Sequence, residues 1–279
     1  MRYKRELYIS PQLASEAVKS KISLEALAIT LGVKITFVDS IVKDASTTRM
    51  MHLLHIGHAR YRLALSYALK RGWLVREGNN LRATCIKQLD AHNVRFVLNK
   101  TYYGKKRTGD IRCPFNITQL CDLIRQSILL HHITKQAVVY DTIKKATHPK
   151  YGTSTKTIKR ARKRACNWGM CKPSLREGAD RLSYARISQI AGCSATKAKS
   201  LVKKLVNEGF IVKQENYLST PWSEKDYSQE LVNNYALYGE CGYLVLRDGK
   251  VFAQLANTYY MNRCVVKYIA IDKREKQAV

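Results

Sequence analysis

The chain has 279 residues, enough for one large or two medium domains, and 46% of them are hydrophobic, which excludes wholesale disorder. Lysine and arginine number 49 against 21 acidic residues, a net charge of +28. So large a surplus points to a polyanionic partner, nucleic acid before a membrane surface.

No apolar run reaches the length of a transmembrane helix, and the opening MRYKRELYIS is charged, so neither a membrane span nor a signal peptide is expected. Met1 to Pro11 reads as an arm or edge segment. Helical periodicity follows through Leu13–Lys21 and Leu24–Val42, with Gly32 as an expected break. Thr47–Ile56 reads as a short helix, Gly57-His58 as a turn, and His58–Arg71 as a further helix with the apolar stripe Tyr61, Ala64, Leu65, Ala68 and Leu69. Arg62, Ser66 and Lys70 lie on its far side and Arg60 at its margin. These four are the candidate DNA contacts of a first recognition helix. Gly72 ends the helix, Trp73 opens a strand, and Leu81–Ile86 alternates as its return. Glu77–Asn80 is then a wing tip flanked by Arg76 and Arg82. His52, His55 and His58 recur every three residues, but no carboxylate or cysteine accompanies them, so surface histidines are favoured over a metal site.

Tyr102 to Arg112 reads as a loop or hairpin, and Asn116 or Thr118 can cap a long helix to Lys145 with apolar positions from Leu120 through Val138, Val139 and Ile143. From Thr142 to Arg176 no acidic residue occurs. Within that run Thr155–Ala165 reads as a helix after Ser154 carrying Lys156, Lys159, Arg160, Arg162, Lys163 and Arg164. A dense run of one sign repels itself without a counter-charge, so these six are the candidate phosphate contacts. The same helix could open a second folded unit.

Ser183 to Tyr217 carries the clearest pattern: a helix with Ile187, Ile190 and Ala191 on one side, a turn at Gly192-Cys193-Ser194, and a second helix with the stripe Ala198, Leu201, Val202 and Leu205. The face opposite that stripe offers Thr196, Lys197, Ser200, Lys203 and Lys204, which with Ser194 are the candidate contacts of a second recognition helix. Its ending, Glu208-Gly209-Phe210-Ile211-Val212-Lys213, echoes Arg71-Gly72-Trp73-Leu74-Val75-Arg76, and Lys213 joins Arg76 and Arg82 as a wing cation. Gly192 to Lys197 followed by Leu201 resembles the turn and recognition helix of bacterial winged-helix transcription regulators and of phage and plasmid replication initiators. The resemblance covers Ser183–Tyr217 alone, and it implies a sequence-specific contact with duplex DNA.

Pro221-Trp222 reads as a turn and Ser223–Tyr238 as mixed helix, while Asp248-Gly249 between two apolar runs is a hairpin signal. Asn257–Tyr260 and Val265–Ile271 add extended segments. The eight cysteines lack a CxxC pair. Cys166 and Cys171 alone approach half a zinc site, so packed thiols in a reducing cytoplasm, bacterial or phage-infected, are expected. There is no phosphate-binding glycine loop, nucleophile elbow or acidic cluster, and no ordered Arg/His set around a tyrosine for DNA nicking.

The expected fold is mainly α with small β wings (α+β): two winged helix-turn-helix domains joined by a long helix and a basic segment, plus a C-terminal β-hairpin. The domains are 1–100, a helical connector at 101–153, 154–220, and the appended element at 221–279. The expected function is non-enzymatic, sequence-specific binding of double-stranded DNA by a replication initiator or transcription regulator of a phage or mobile element. A non-specific RNA- or DNA-binding nucleoprotein is the alternative, and a tyrosine-nucleophile DNA nicking enzyme a more distant one. No cofactor, metal, small-molecule ligand or membrane partner is expected, and a homodimer is left open.

Overall fold

The computed structural model describes residues 5–37, 39–84, 92–98, 115–146, 182–238, 243–261 and 266–268. It is a mixed α+β fold with small antiparallel sheets. Chain order runs β1 (Arg5–Ile9), α1 (Pro11–Ala17), α2 (Lys21–Thr36), β2 (Ile41–Val42), α3 (Thr47–Leu54), α4 (His58–Lys70), β3 (Leu74–Glu77), β4 (Asn80–Ala83) and β5 (His92–Leu98). Then come α5 (Ile117–Ala146), α6 (Tyr184–Ala191), α7 (Ala195–Asn207), β6 (Ile211–Ser223), a 3-10 turn (Glu224–Asp226), α8 (Gln229–Tyr238), β7 (Tyr243–Arg247), β8 (Lys250–Met261) and β9 (Val266–Tyr268).

Serines start most of the helices. The hydroxyls of Ser10, Ser20, Ser46, Ser183 and Ser194 each accept from the backbone N–H three residues on, which satisfies one of the free donors of the first turn. The core gathers on α2, which is buried on nearly every side from Ser23 to Val33 and is accordingly mostly apolar, with Ser23, Glu25 and Thr30 as its buried polar side chains. Helices α1, α4 and α5 and strand β4 pack on it. Gly32 does not break this helix. A Cβ there would sit 2.5 Å from Leu54 Cδ2 and 3.2 Å from Leu120 Cδ1, so glycine lets α3 and α5 close in on α2. The first half of α5 completes the core with Leu120, Ile124, Leu129 and Leu130. Val138, Val139 and Ile143, expected to continue this face, lie beyond the described side chains.

Three three-stranded sheets surround the helices, in the orders β1-β5-β9, β2-β4-β3 and β6-β8-β7. The N-terminal arm is thus strand β1, paired with β5 from Arg5↔Leu98 to Ile9↔Val94. The C-terminal extended segment returns as β9 on the other edge of β5. Pro221 and Trp222, expected as a turn, lie inside β6, and the expected boundary at 220/221 cuts through that strand. The Asp248-Gly249 hairpin forms as anticipated. Both residues have positive φ (49° and 70°), the type I′ geometry that matches strand twist. It is not appended, however: β8 pairs along β6 from Ile211↔Met261 to Ser223↔Lys250. Local patterns show strands but not their partners across 40 residues, so the join was hidden in the sequence. The stretches 102–112 and 154–165 lie outside the described residues.

Candidate nucleic-acid interface

The two stretches that echo each other in sequence share their local geometry. Helices α4 and α7 are each 13 residues long. Each ends in the same pair of backbone bonds. Gly72 N–H reaches Leu69 O (3.0 Å) and Trp73 N–H reaches Ala68 O (2.9 Å). Gly209 N–H reaches Val206 O (3.0 Å) and Phe210 N–H reaches Leu205 O (2.9 Å). This is the Schellman arrangement, which needs a left-handed residue at the turn, and the φ values of Gly72 and Gly209 are 66° and 71°. The aromatic that follows each glycine then turns the chain into a strand.

The surrounding order repeats too. In the first unit α2, β2, α3, α4, β3 and β4 follow in turn, and the short strand β2 before α3 pairs with β4 on the edge opposite β3. In the second unit Leu182, immediately before α6, bridges Asn257 of β8, with its N–H 2.8 Å from Asn257 O, while β6 holds the other edge of β8. Leu182-β8-β6 therefore matches β2-β4-β3. Helix α5 packs against both α6 and α7, as α2 packs against α4. Among the described residues it is α5 that backs the second helix pair. The 154–165 stretch, expected in that place, and its six cations Lys156, Lys159, Arg160, Arg162, Lys163 and Arg164 lie outside the described residues.

The stripes fall as the periodicity requires. Tyr61, Ala64, Leu65 and Ala68 are buried on α4, and Ala198, Leu201, Val202 and Leu205 on α7. Burial pushes the Tyr61 hydroxyl up to about 12, so it stays neutral. On the outer faces Arg62, Ser66 and Lys70 are exposed on α4, and Thr196, Ser200 and Lys203 on α7, with Lys204 half-buried and Ser194 serving as the α7 N-cap. Two exposed side chains on these faces were missed. Lys199 occupies the helix position on α7 that Arg62 occupies on α4, and i,i+3 spacing from Thr196 would have found it. Leu63 is 57% exposed beside Arg62, an apolar contact surface on the same face.

Arg60 and Lys197, the third residue of each helix, do something else. Arg60 donates to Glu25 of α2 from Nε at 3.1 Å and from a terminal nitrogen at 2.5 Å. Lys197 Nζ lies 2.8 Å from Asp122 of α5. Both carboxylates stand in the second turn of the backing helix. The hydrogen bond to Glu25 raises the already high Arg60 value further. These two cations thus tie the first turn of each outer helix to its own backing helix and set the angle at which the outer face is presented. Beside the Arg60–Glu25 pair a cleft of about 400 Å³ is lined by Lys19, Lys21, Glu25, Arg60, Arg125 and Gly192, between the two units. Gly192 (φ 57°) is required here twice over, since a Cβ would also lie 2.5 Å from the Val18 carbonyl oxygen.

The cations expected on wings are also partnered in part. Arg82 meets Glu77 across its hairpin at 2.6 Å, Lys213 meets Glu215 at 2.5 Å, and Arg76 is exposed. Cys121 and Cys193 are free thiols, and burial pushes Cys121 up to about 12, which makes it inert at neutral pH. Cys166 and Cys171 lie outside the described residues. Among the described residues no group of three or more His, Cys, Asp or Glu could hold a metal, and no helix is long and apolar enough to cross a membrane. Compared with protein-family models, curated proteins and solved structures, the chain matches none.

Proposed function

We propose that this chain is a non-enzymatic reader of double-stranded DNA with two winged helix-turn-helix units, α4 and α7 being the recognition helices. The observation that carries the proposal is the repeat itself. A basic chain has twice made a backing helix, a short edge pairing, a helix pair, a Schellman glycine, an aromatic and an antiparallel strand pair. One such unit is a common helical hairpin. Two on a chain of net charge +28, each with short polar side chains and cations on the outward face of its last helix, suit adjacent major-groove contacts. Arg62, Ser66 and Lys70 contact DNA from the first unit, and Thr196, Lys199, Ser200 and Lys203 from the second. Arg60 and Lys197 position the helices. The six cations between Lys156 and Arg164 add phosphate contacts, which raise affinity without reading sequence. The biological role is that of a phage or mobile-element replication initiator or transcription regulator.

Selection from a random duplex pool tests the binding mode. A preferred site is expected, and Thr196→Ala with Ser200→Ala should relax its specificity by about 1–3 kcal/mol per lost base contact. Arg160→Ala, Arg162→Ala and Lys163→Ala should weaken binding to every duplex and flatten the salt slope. Equal binding to all duplexes would leave only the non-specific nucleoprotein. The role is tested by placing the selected site on a plasmid. Replication that depends on the chain marks an initiator, and altered transcription without replication marks a regulator.

A further inference from the structure

The charge of this chain is unevenly spread. Residues 211–261, which contain β6, α8, β7 and β8, carry four Lys/Arg against six Asp/Glu. That element is therefore at −2, which leaves +30 on the rest of a chain at +28. The same element holds five of the eight exposed large apolar side chains among the described residues: Val212, Leu218, Tyr227, Tyr243 and Leu246. An extension poor in cations and rich in exposed apolar groups is ill suited to phosphate and well suited to protein.

Its geometry names the partner. β7 lies at the edge of the sheet β6-β8-β7, so one side of its backbone is unpaired within that sheet. In the two-residue hairpin Arg247↔Lys250 closes the turn, so residues 243, 245 and 247 direct their backbone groups to β8. Leu244 and Leu246 then direct theirs outward. The strand is five residues long and symmetric about Val245. We infer that β7 pairs antiparallel with β7 of a second copy of this chain, with Val245 on the two-fold axis.

In that register Leu244 and Leu246 of the two copies exchange backbone hydrogen bonds, the very residues whose groups point outward. Leu246, 37% exposed, comes to lie against Leu244 of the other copy. It extends the small cluster of Leu244, Val251 and Ala253 that α8 covers through Leu231, Val232 and Tyr235. On the opposite face Tyr243, 49% exposed, stands across from Arg247 of the other copy, a cation–π pair. Arg247 already stacks on Tyr217 within its own chain, 4.1 Å from the ring centroid, so its guanidinium is held in place for the second ring. The contact is self-complementary, as a two-fold interface must be. It also occurs on an element whose own net charge is only −2, so little like charge is added at the contact itself.

The inference needs no DNA and is tested without it. Sedimentation velocity of the full chain should show a dimer that Leu246→Glu converts to monomer, while Leu218→Glu, on the other edge strand, leaves it dimeric. Residues facing each other across a non-hydrogen-bonded antiparallel pair have Cα atoms about 4.5 Å apart, within disulfide range. Under mild oxidant Val245→Cys should therefore cross-link to a covalent dimer at least about ten-fold faster than Leu218→Cys or the parent chain. A chain that is monomeric at all concentrations up to about 100 μM overturns the inference. So does a dimer that survives Leu246→Glu and gains no Val245→Cys cross-link, since the contact then lies elsewhere. Duplex binding by the Leu246→Glu monomer, measured separately, reports on the recognition helices alone.

Discussion

The first and second units share a helix pair and a glycine stop, and differ in what surrounds them. The first places His55 (φ 50°) at the left-handed corner before its outer helix and caps that helix with Gly57, which offers no side chain. The second places Gly192 at the corner and caps with Ser194. The first closes a hairpin at once between Glu77 and Asn80, while the second continues through β6, α8, β7 and β8 into a larger sheet. The lesson is a division of labour. The element from β6 to β8 carries more acids than cations and five of the eight exposed large apolar groups among the described residues. The corner residues add a second lesson: the same bend is held by a glycine where the Val18 carbonyl at the end of α1 presses on it, and by an exposed histidine with positive φ in the first unit.

That contrast can be broken at the corners. Gly192→Ala combines left-handed strain with a clash against the Val18 carbonyl and should lower stability by about 4 kcal/mol in chemical denaturation. His55→Gly should do the reverse, raising stability by about 1 kcal/mol, since it relieves the strain without opening a contact. Equal effects at the two corners would show that close approach to α1 is not what selects the glycine.

The two helix latches come next in size. Glu25 is buried, so Arg60→Ala strands its carboxylate and should cost about 3 kcal/mol. Asp122 keeps Arg125 at 3.8 Å when Lys197 is lost, so Lys197→Ala should cost about 1 kcal/mol. Stability curves for the two variants, run beside Glu25→Gln and Asp122→Asn, separate the latches from any general loss of charge.

Much of this was legible in the sequence, and the reasons differ by element. The outer helices and their stops could be read because apolar spacing and the Gly-aromatic pair act within a few residues. The type I′ hairpin at Asp248-Gly249 could be read because both residues tolerate positive φ. Gly32 was misread, since propensity marks glycine as a break and only the packing of Leu54 and Leu120 explains it. The latches Glu25–Arg60 and Asp122–Lys197 span 35 and 75 residues and left no local trace. The pairing of β6 with β8 was hidden for the same reason, so the β7–β8 hairpin looked separate.

The larger sheet of the second unit holds a carboxylate whose partners favour its charged form. Hydrogen bonds from Lys213 and from the Tyr217 hydroxyl, with Arg247 beside them, hold the Glu215 carboxyl down at about 2, against an ordinary value of 4.5. A depressed carboxylate stabilises fully above its unfolded value, and that contribution fades as pH falls from about 4.5 through about 2. Glu215→Gln should flatten this part of the stability–pH profile, as followed by urea midpoints between pH 7 and pH 2.5. Last and smallest, Gly57→Ser would give α4 the cap that Ser194 gives α7, with a gain of a few tenths of a kcal/mol, or roughly 0.3, in the same assay.

Whether both units read DNA is tested most directly by hydroxyl-radical footprinting of the full chain on its selected duplex. The parent chain should protect two adjacent stretches. Arg62→Ala with Ser66→Ala should erase protection over one, and Lys199→Ala with Ser200→Ala over the other. A single protected stretch that only one of these pairs affects would contradict a two-headed reader.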